Sequence, residues 1–218
     1  MFLGGNAMKP SPRGRPFKSG TPRLPRAERR ESLLKAATES FVERGYDGTS
    51  MDSIAERGGV SKPVLYQHFD SKHDLYMEIL LAAVRQLRDR VTAVLDNSQA
   101  PYDRVRAVVT AYFTFVDEEC DASKLIYTAA VASDQQIYSV VQNLRHSLAR
   151  EFADNIASSA EIDKPTAELL GHGLAGMLTT ASEHWFSESN GITREDAIRS
   201  LTKVSFFGIN SLDEDAAS

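Results

Sequence analysis

Ser61-Lys62-Pro63-Val64-Leu65-Tyr66-Gln67-His68-Phe69-Asp70-Ser71-Lys72-His73-Asp74-Leu75 reads as one short helix displaying polar and aromatic side chains, followed at once by the capped start of another. Ser61 is a good N-cap residue, and Pro63 suits a first helical turn, where its missing N–H would have no intrahelical partner anyway. Ser71 and Asp74 repeat the cap, which leaves room for about two turns, Lys62 to Phe69, in the short helix. Upstream, Gly58-Gly59 supplies a turn and Met51 to Arg57 a preceding helix. Thr49 and Asp52, spaced as in a capping box, place its start near Ser50. Helix, glycine turn and helix is the layout of a DNA-binding helix-turn-helix, whose second helix meets base edges.

Outward from this stretch the chain keeps the helical period. Ala27 to Arg44 carries Leu33, Leu34, Ala37, Phe41 and Val42 on one stripe and is closed by Gly45 as a C′ residue. Lys72 to about Leu95 reads as a long helix ended by Asp96-Asn97-Ser98 and Pro101, joining a head to a body. Further helices are expected over Tyr102 to Glu119, with a break at Cys120-Asp121, then Ser123 to Ala132, Gln135 to Ala160 and Lys164 to Glu188. Thr193 and Asp196 form a last capping box, opening a helix to about Asn210. No segment alternates with period two between hairpin turns, so the fold class is all-α. The expected organisation is a basic arm at 1–25, a three-helix helix-turn-helix head at 26–72, a larger ligand-binding and dimerisation body at 73–212, and an acidic tail at 213–218.

Charge is divided along the chain. The net of −5 hides a first stretch, 1–76, with 13 basic and 9 acidic residues, and a remainder with 12 basic and 21 acidic, so only the first third suits phosphate. The arm is rich in proline and glycine and holds Pro12-Arg13-Gly14-Arg15-Pro16, which resembles an AT-hook core. Its glycine permits close approach to the minor-groove floor, and Arg13 and Arg15 reach along an A·T-rich groove; a merely solvated basic tail is the alternative. Met8 is a second candidate start. No apolar run approaches the ~20 residues of a membrane span, and the opening residues lack the pattern of a secretory signal. The lone Cys120 excludes an internal disulfide framework and fits the cytoplasm; beside Glu118, Glu119 and Asp121 it reads as inert.

Enzyme chemistry finds no footing. His68, His73, His146, His172 and His184 offer no metal-ligand spacing, and nucleophile-elbow, P-loop and dinucleotide-binding signatures are missing. His172 and His184 read as core or interface side chains. Asp117-Glu118-Glu119 with Asp121 reads as a solvated helix end. Neither a catalytic set, a metal site nor a cofactor is expected.

At this point the chain resembles the TetR family of bacterial transcriptional regulators. The match rests on the helix Arg26 to Gly45, Thr49-Ser50-Met51-Asp52-Ser53-Ile54-Ala55, Gly59-Val60-Ser61-Lys62, Leu65-Tyr66-Gln67-His68-Phe69 and Ser71-Lys72. On a recognition helix, Lys62 donates to guanine O6/N7 and Gln67 pairs with adenine; Val64 touches a thymine methyl, with Pro63 at the same depth. The resemblance implies that Tyr66, His68 and Lys72 hold phosphate, with a packing role as the alternative for Tyr66 and His68. Ser50 and Ser61, at helix starts, complete the DNA-facing set, Ser50 aided by the helix dipole. Leu65 and Phe69 turn inward with Ile54, Val60 and Phe41.

The resemblance further implies a homodimer, its last two helices pairing with their copies, on an inverted-repeat operator of half-sites about one helical turn (~34 Å) or slightly more apart. Leu169 to Trp185 and Ile198 to Ile209 carry apolar residues too widely spread for one stripe, which fits burial on more than one face. Gly171, Gly173 and Gly176 fit a close crossing or room for a ligand. Tyr112, Phe113, Phe152, Met177, Leu178 and Trp185 are candidates to line an effector cavity, or simply core. Pro22-Arg23-Leu24-Pro25-Arg26, Arg44-Gly45-Tyr46, the Lys62 to Phe69 helix, Gly173-Leu174, Gly176-Met177 and Trp185 are similar to the actinobacterial FasR-type regulators of fatty-acid synthesis. That similarity implies a long-chain acyl-CoA effector; the rival is an efflux-type repressor with an unrelated hydrophobic inducer. A helical module binding nucleic acid without sequence choice is the remaining alternative.

Overall fold

A computed structural model describes residues 25–95, 100–159, 162–188 and 191–215. The expectations at Arg13 and Arg15, at Met8 and at the Asp96-Asn97-Ser98 stop lie outside the described residues. The helices are α1 (Arg26–Gly48), α2 (Met51–Arg57), α3 (Lys62–Tyr66), α4 (Lys72–Leu95), α5 (Pro101–Glu118), α6 (Cys120–Ala129), α7 (Gln135–Ser159), α8 (Lys164–Glu188) and α9 (Arg194–Asp215). No strand occurs among the described residues, and none of their helices is long and apolar enough to cross a membrane.

In the head, Gly45 interrupts α1 at φ 72° and ψ 173°, a conformation that only glycine adopts freely. Thr49 is not the cap the spacing suggests. It is buried, and its hydroxyl donates to the carbonyls of Ser40 and Gly45 at 3.0 and 2.7 Å, satisfying the end of α1. The N-cap falls instead to Ser50, whose Oγ accepts from Ser53 N at 3.1 Å while Ser53 Oγ accepts from Ser50 N at 3.2 Å. The turn uses its two glycines differently. A Cβ on Gly58 would stand 2.8 Å from Leu33 Cδ2, so absence of a side chain lets α2 approach α1, whereas Gly59 turns the chain at φ +64°. The α3 helix is shorter than expected: regular structure stops at Tyr66, and the chain closes through His68 N and Phe69 N donating to Leu65 O.

Three further boundaries depart from sequence expectation. Pro101 opens α5 as a first-turn proline instead of merely ending α4. The break after α5 is Glu119 alone, at φ −111° and ψ 54°, so Cys120 and Asp121 already belong to α6, which ends at Ala129. The final helix passes Asn210 and runs to Asp215, taking in part of the expected acidic tail. Elsewhere the caps hold: Asp74 N donates to Ser71 Oγ at 3.0 Å and Asp196 N to Thr193 Oγ1 at 3.1 Å.

One apolar cluster runs from head to body through α4. Leu33, Phe41, Ile54, Leu65 and Phe69 fill the head; Leu75, Leu80 and Leu87 continue the core along α4 to Val109, Phe113 and Leu144. Each such side chain contributes about 1.5–3 kcal/mol when buried. The most extensive pairing in the body is α7 with α8, and Gly171 permits it, since a Cβ there would lie 2.3 Å from Ala149 O and 2.9 Å from Ala153 N. Gly173 and Gly176 meet nothing within 4 Å, so the crossing needs only the first of the three glycines. The head rests on α6: α1 and α4 both pack against it, and Phe41, Tyr46 and Tyr76 form an aromatic triangle beside it, with Phe41–Tyr76 and Tyr46–Tyr76 centroids 4.9 Å apart. His73 of α4 reaches Asp134, before α7, at 3.6 Å.

Candidate nucleic-acid interface and effector cavity

Leu65 and Phe69 are buried against α1 and α2, which fixes the rotation of α3 about its axis. Lys62, Pro63, Tyr66 and Gln67 consequently face outward, Tyr66 with 43% of its surface exposed, while Val64 and His68 are half-buried at the edge of that face. Ser61 makes no side-chain cap; its carbonyl accepts from Val64 N and Leu65 N at 2.9 and 3.2 Å, and its exposed hydroxyl points to no cap partner. Ser50 is exposed at the start of α2, its hydroxyl engaged with Ser53.

Two of the expected DNA contacts are held by the protein itself. Lys62 Nζ lies 2.9 and 3.0 Å from the two carboxylate oxygens of Asp52 on α2, and this hydrogen-bonded partner raises the ammonium pKa. Lys72 Nζ donates to the carbonyls of Tyr46 and Thr49 at 2.8 and 3.1 Å and sits 4.2 Å from the centre of the Tyr46 ring. Lys72 therefore ties the start of α4 to the α1–α2 turn, and little of its donor capacity is left. Sequence reasoning missed both partners, because neither carbonyl nor Asp52 is near its lysine along the chain. His68 is held below the ordinary imidazole range, first by burial and then by Arg26, Arg30 and Arg29 around it. Arg30 in turn grips Glu78 of α4 through two bonds of 2.5 and 2.6 Å and covers the Phe69 ring at 4.8 Å. Arg57 of α2 pairs with Glu43 and Glu39 of α1, so the DNA-facing helices are braced from behind.

In the body the six candidate effector residues do not share one cavity. Phe152 and Leu178 line a small apolar cavity with Leu95, Val105, Val108, Val109, Ile156 and Leu174, partly open to solvent. Arg104, Asn155 and Ser205 supply its polar atoms, with Arg104 Nη1 donating to Asn155 Oδ1 at 2.9 Å. Phe113 and Trp185 border a separate depression with Ile192 and Leu201, their rings 5.5 Å apart. Tyr112 is core, and Met177 lines neither space. Tyr112 belongs to a buried hydroxyl network in which Tyr127 donates to Ser182 Oγ at 3.0 Å and Thr179 to Ala175 O at 2.8 Å; burial raises both phenol pKa values. Apolar periodicity could find walls such as Val105 and Val109, but Arg104 and Asn155 meet only through tertiary packing.

His172 and His184 are exposed on α8 and not core; His172 lies 5.8 Å from His146, and no group of three or more potential metal ligands forms among the described residues. The acidic helix end is ion-paired and not simply solvated, with Glu118 and Glu119 on Arg90 and Asp117 on Arg194 at 2.7 Å. Cys120 is exposed, its thiol 3.1 Å from Asp117 O. Outward on α8 and α9, Leu169, Val204 and Phe207 are 72%, 62% and 60% exposed, beside the open Gly173 and Gly176.

Comparison with known proteins agrees with this geometry. The profile of the bacterial regulatory proteins of the tetR family matches residues 33–79, and that of the tetracyclin repressor-like C-terminal domain matches residues 77–217. The HTH-type transcriptional activator FasR of Mycolicibacterium smegmatis is 33% identical over 188 residues, covering 86% of each chain. A TetR-like transcriptional regulator from Rhodococcus sp. RHA1 superposes with a TM-score of 0.73 at 26% identity, over 86% of this chain and 99% of that one. The fatty acid degradation regulator FadR from Bacillus halodurans shares the fold, with a TM-score of 0.69 at 13% identity over 87% of this chain and 97% of its own.

Proposed function

The chain belongs to the tetR family of bacterial regulatory proteins, a transcriptional regulator and not an enzyme, and from that premise we propose that it is a homodimeric, sequence-specific DNA-binding regulator of lipid metabolism in the cytoplasm. The observation that carries this reading is the outward row of α3. Lys62 and Gln67 are exposed on a helix whose other face is locked by Leu65 and Phe69, so their approach to base edges is set by the core. Val64 and Pro63 read a thymine methyl at the same depth; Tyr66, His68, Ser50 and Ser61 meet the backbone, Lys72 holds the α1–α2 turn in place behind them, and the arm carrying Arg13 and Arg15 enters the minor groove. The exposed apolar side chains of α8 and α9 bury themselves against a second copy, giving the two-fold symmetry that an inverted repeat requires. A footprint across the upstream DNA tests this: protection of a palindrome that Lys62→Ala and Gln67→Ala abolish is expected, and even protection unaffected by either change would refute it.

The effector enters the apolar cavity between α5, α7 and α8. Its walls suit a hydrocarbon chain, and Arg104 with Asn155 at its edge suits a polar or anionic head, as in a long-chain acyl-CoA. The similarity to FasR and to a fatty acid regulator supports the lipid class. An operator-shift assay with acyl-CoAs of graded length separates this from an unrelated hydrophobic inducer, since indifference to every length eliminates the lipid effector while leaving the DNA-binding reading intact.

A further inference from the structure

Helix α5 has a second lined face. Val105, Val108 and Val109 face the apolar cavity, whereas Tyr102, Arg106, Thr110 and Thr114, spaced four apart, share another side of the helix. Across from them α9 presents Arg194, Glu195, Ile198, Arg199 and Thr202, and the two helices wall a groove of about 950 Å³, part of it open to solvent. The lining is donor-rich: guanidinium and hydroxyl groups from both walls, with Glu195 the sole carboxylate among its described residues.

Two of these donors, Arg106 and Thr202, have no acceptor among the described residues. Arg194 is held by Asp117 at 2.7 Å and Arg199 pairs with Asp196, but Arg106 forms no ion pair among the described residues. Thr38, Thr92, Thr128 and Thr179 elsewhere donate to the carbonyl one turn earlier, as helical threonines commonly do. Thr202 does not: it is fully buried, and its hydroxyl has no hydrogen-bond partner among the described residues. A buried hydroxyl left unpaired carries a desolvation cost that an incoming acceptor relieves.

We propose that the groove between α5 and α9 binds a small phosphate-bearing ligand, with Arg106 as its charged anchor and Thr110, Thr114 and Thr202 as hydroxyl donors. Phosphate fits because it is acceptor-only and presents oxygens in several directions, which lets one group meet donors on both walls while accepting the planar fork of a guanidinium. A carboxylate offers oxygens on one side alone. Selectivity follows from the surroundings: residues 77–218 carry 12 basic and 21 acidic residues, so an anion is repelled from the body except where arginines cluster. The site is distinct from the apolar cavity but mechanically joined to it, since Thr202 and Ser205 of α9 line the one and the other.

Titration calorimetry of the full chain with inorganic pyrophosphate, without DNA and at about 0.15 M salt so that loose surface attraction is screened, tests the site. One saturable site per chain is expected. Arg106→Gln should weaken it about tenfold or more and the near-isosteric Thr202→Val several-fold, while Lys62→Ala in the head leaves it unchanged. Absence of saturable heat, equal binding by Arg106→Gln and Thr202→Val, or loss of binding in Lys62→Ala would each overturn the proposal. Should Arg106→Gln fail to fold, Thr110→Val, on an exposed face, reads the same groove with the same expectation of a several-fold loss.

Discussion

The head and the body of this molecule solve opposite problems with the same secondary structure. In the head, α2 is fixed by its Ser50–Ser53 cap and the turn by its glycines, α3 is locked by Leu65 and Phe69, and the residues left over on α3 face outward to do chemistry. In the body, long helices are fixed by one another, and the polar atoms that matter, such as Arg104 with Asn155 or Tyr127 with Ser182, come from helices far apart along the chain. Chemistry in the head therefore depends on exposure and in the body on packing. A substitution should disturb binding without stability in one region, and stability or effector response in the other.

The contrast breaks first at Leu65, where head chemistry and head packing meet. Leu65→Ala should cost about 2–5 kcal/mol and abolish operator binding, read by thermal unfolding and gel shift; an unchanged melting temperature would mean that α3 is not anchored as described. Gly171→Ala probes the body alone. The added Cβ meets backbone atoms of α7, so a loss of about 1–3 kcal/mol is expected, with the isolated head surface unaltered. Lys62→Ala should be the reverse case. Its pair with Asp52 is exposed and screened by solvent, so the melt should barely move while operator affinity falls about ten- to hundredfold.

Asp52→Asn should give a smaller effect of opposite sign. Freeing Lys62 and removing an acidic charge from the DNA-facing surface should raise affinity for random DNA several-fold and steepen the salt slope by about one counterion. Operator affinity should gain less, so discrimination narrows; equal gains on both DNAs would assign Asp52 no part in specificity. The smallest effect concerns pH. Because His68 titrates below its ordinary value of 6.5, its neutral form contributes stability that is present above that value and lost as pH falls through the folded one. A bound phosphate favours the imidazolium, so operator affinity should instead rise as pH falls below the ordinary value of 6.5. His68→Gln should flatten both profiles, and a pH-independent affinity in the unaltered protein would remove His68 from the phosphate contacts.

Local rules were most readable where one residue type decides a boundary. Gly45 ending the main run of α1, Ser71 with Asp74, Thr193 with Asp196, and the start of α8 at Lys164 all follow from cap and glycine chemistry within a few residues. They failed where a local candidate had a better partner at a distance. Thr49 left its cap because two carbonyls of α1 were closer, and Lys62 and Lys72 found partners in Asp52 and the Tyr46 and Thr49 carbonyls. The effector residues were legible as apolar but not as a set: Phe152 and Leu178 share a cavity, Phe113 and Trp185 another depression, and Tyr112 neither.

Sequence alone determined the helical class, the helix-turn-helix around Ser61 to Leu75, and the family, because caps, turn glycines and the apolar period act over a few residues and leave their mark in order along the chain. Tertiary structure decided which donors are occupied, where the cavity opens, and that Gly171 and not Gly173 or Gly176 carries the helix crossing. Those outcomes depend on which side chains share a volume, and the helix rotations and crossings that set this are fixed only when the whole core packs.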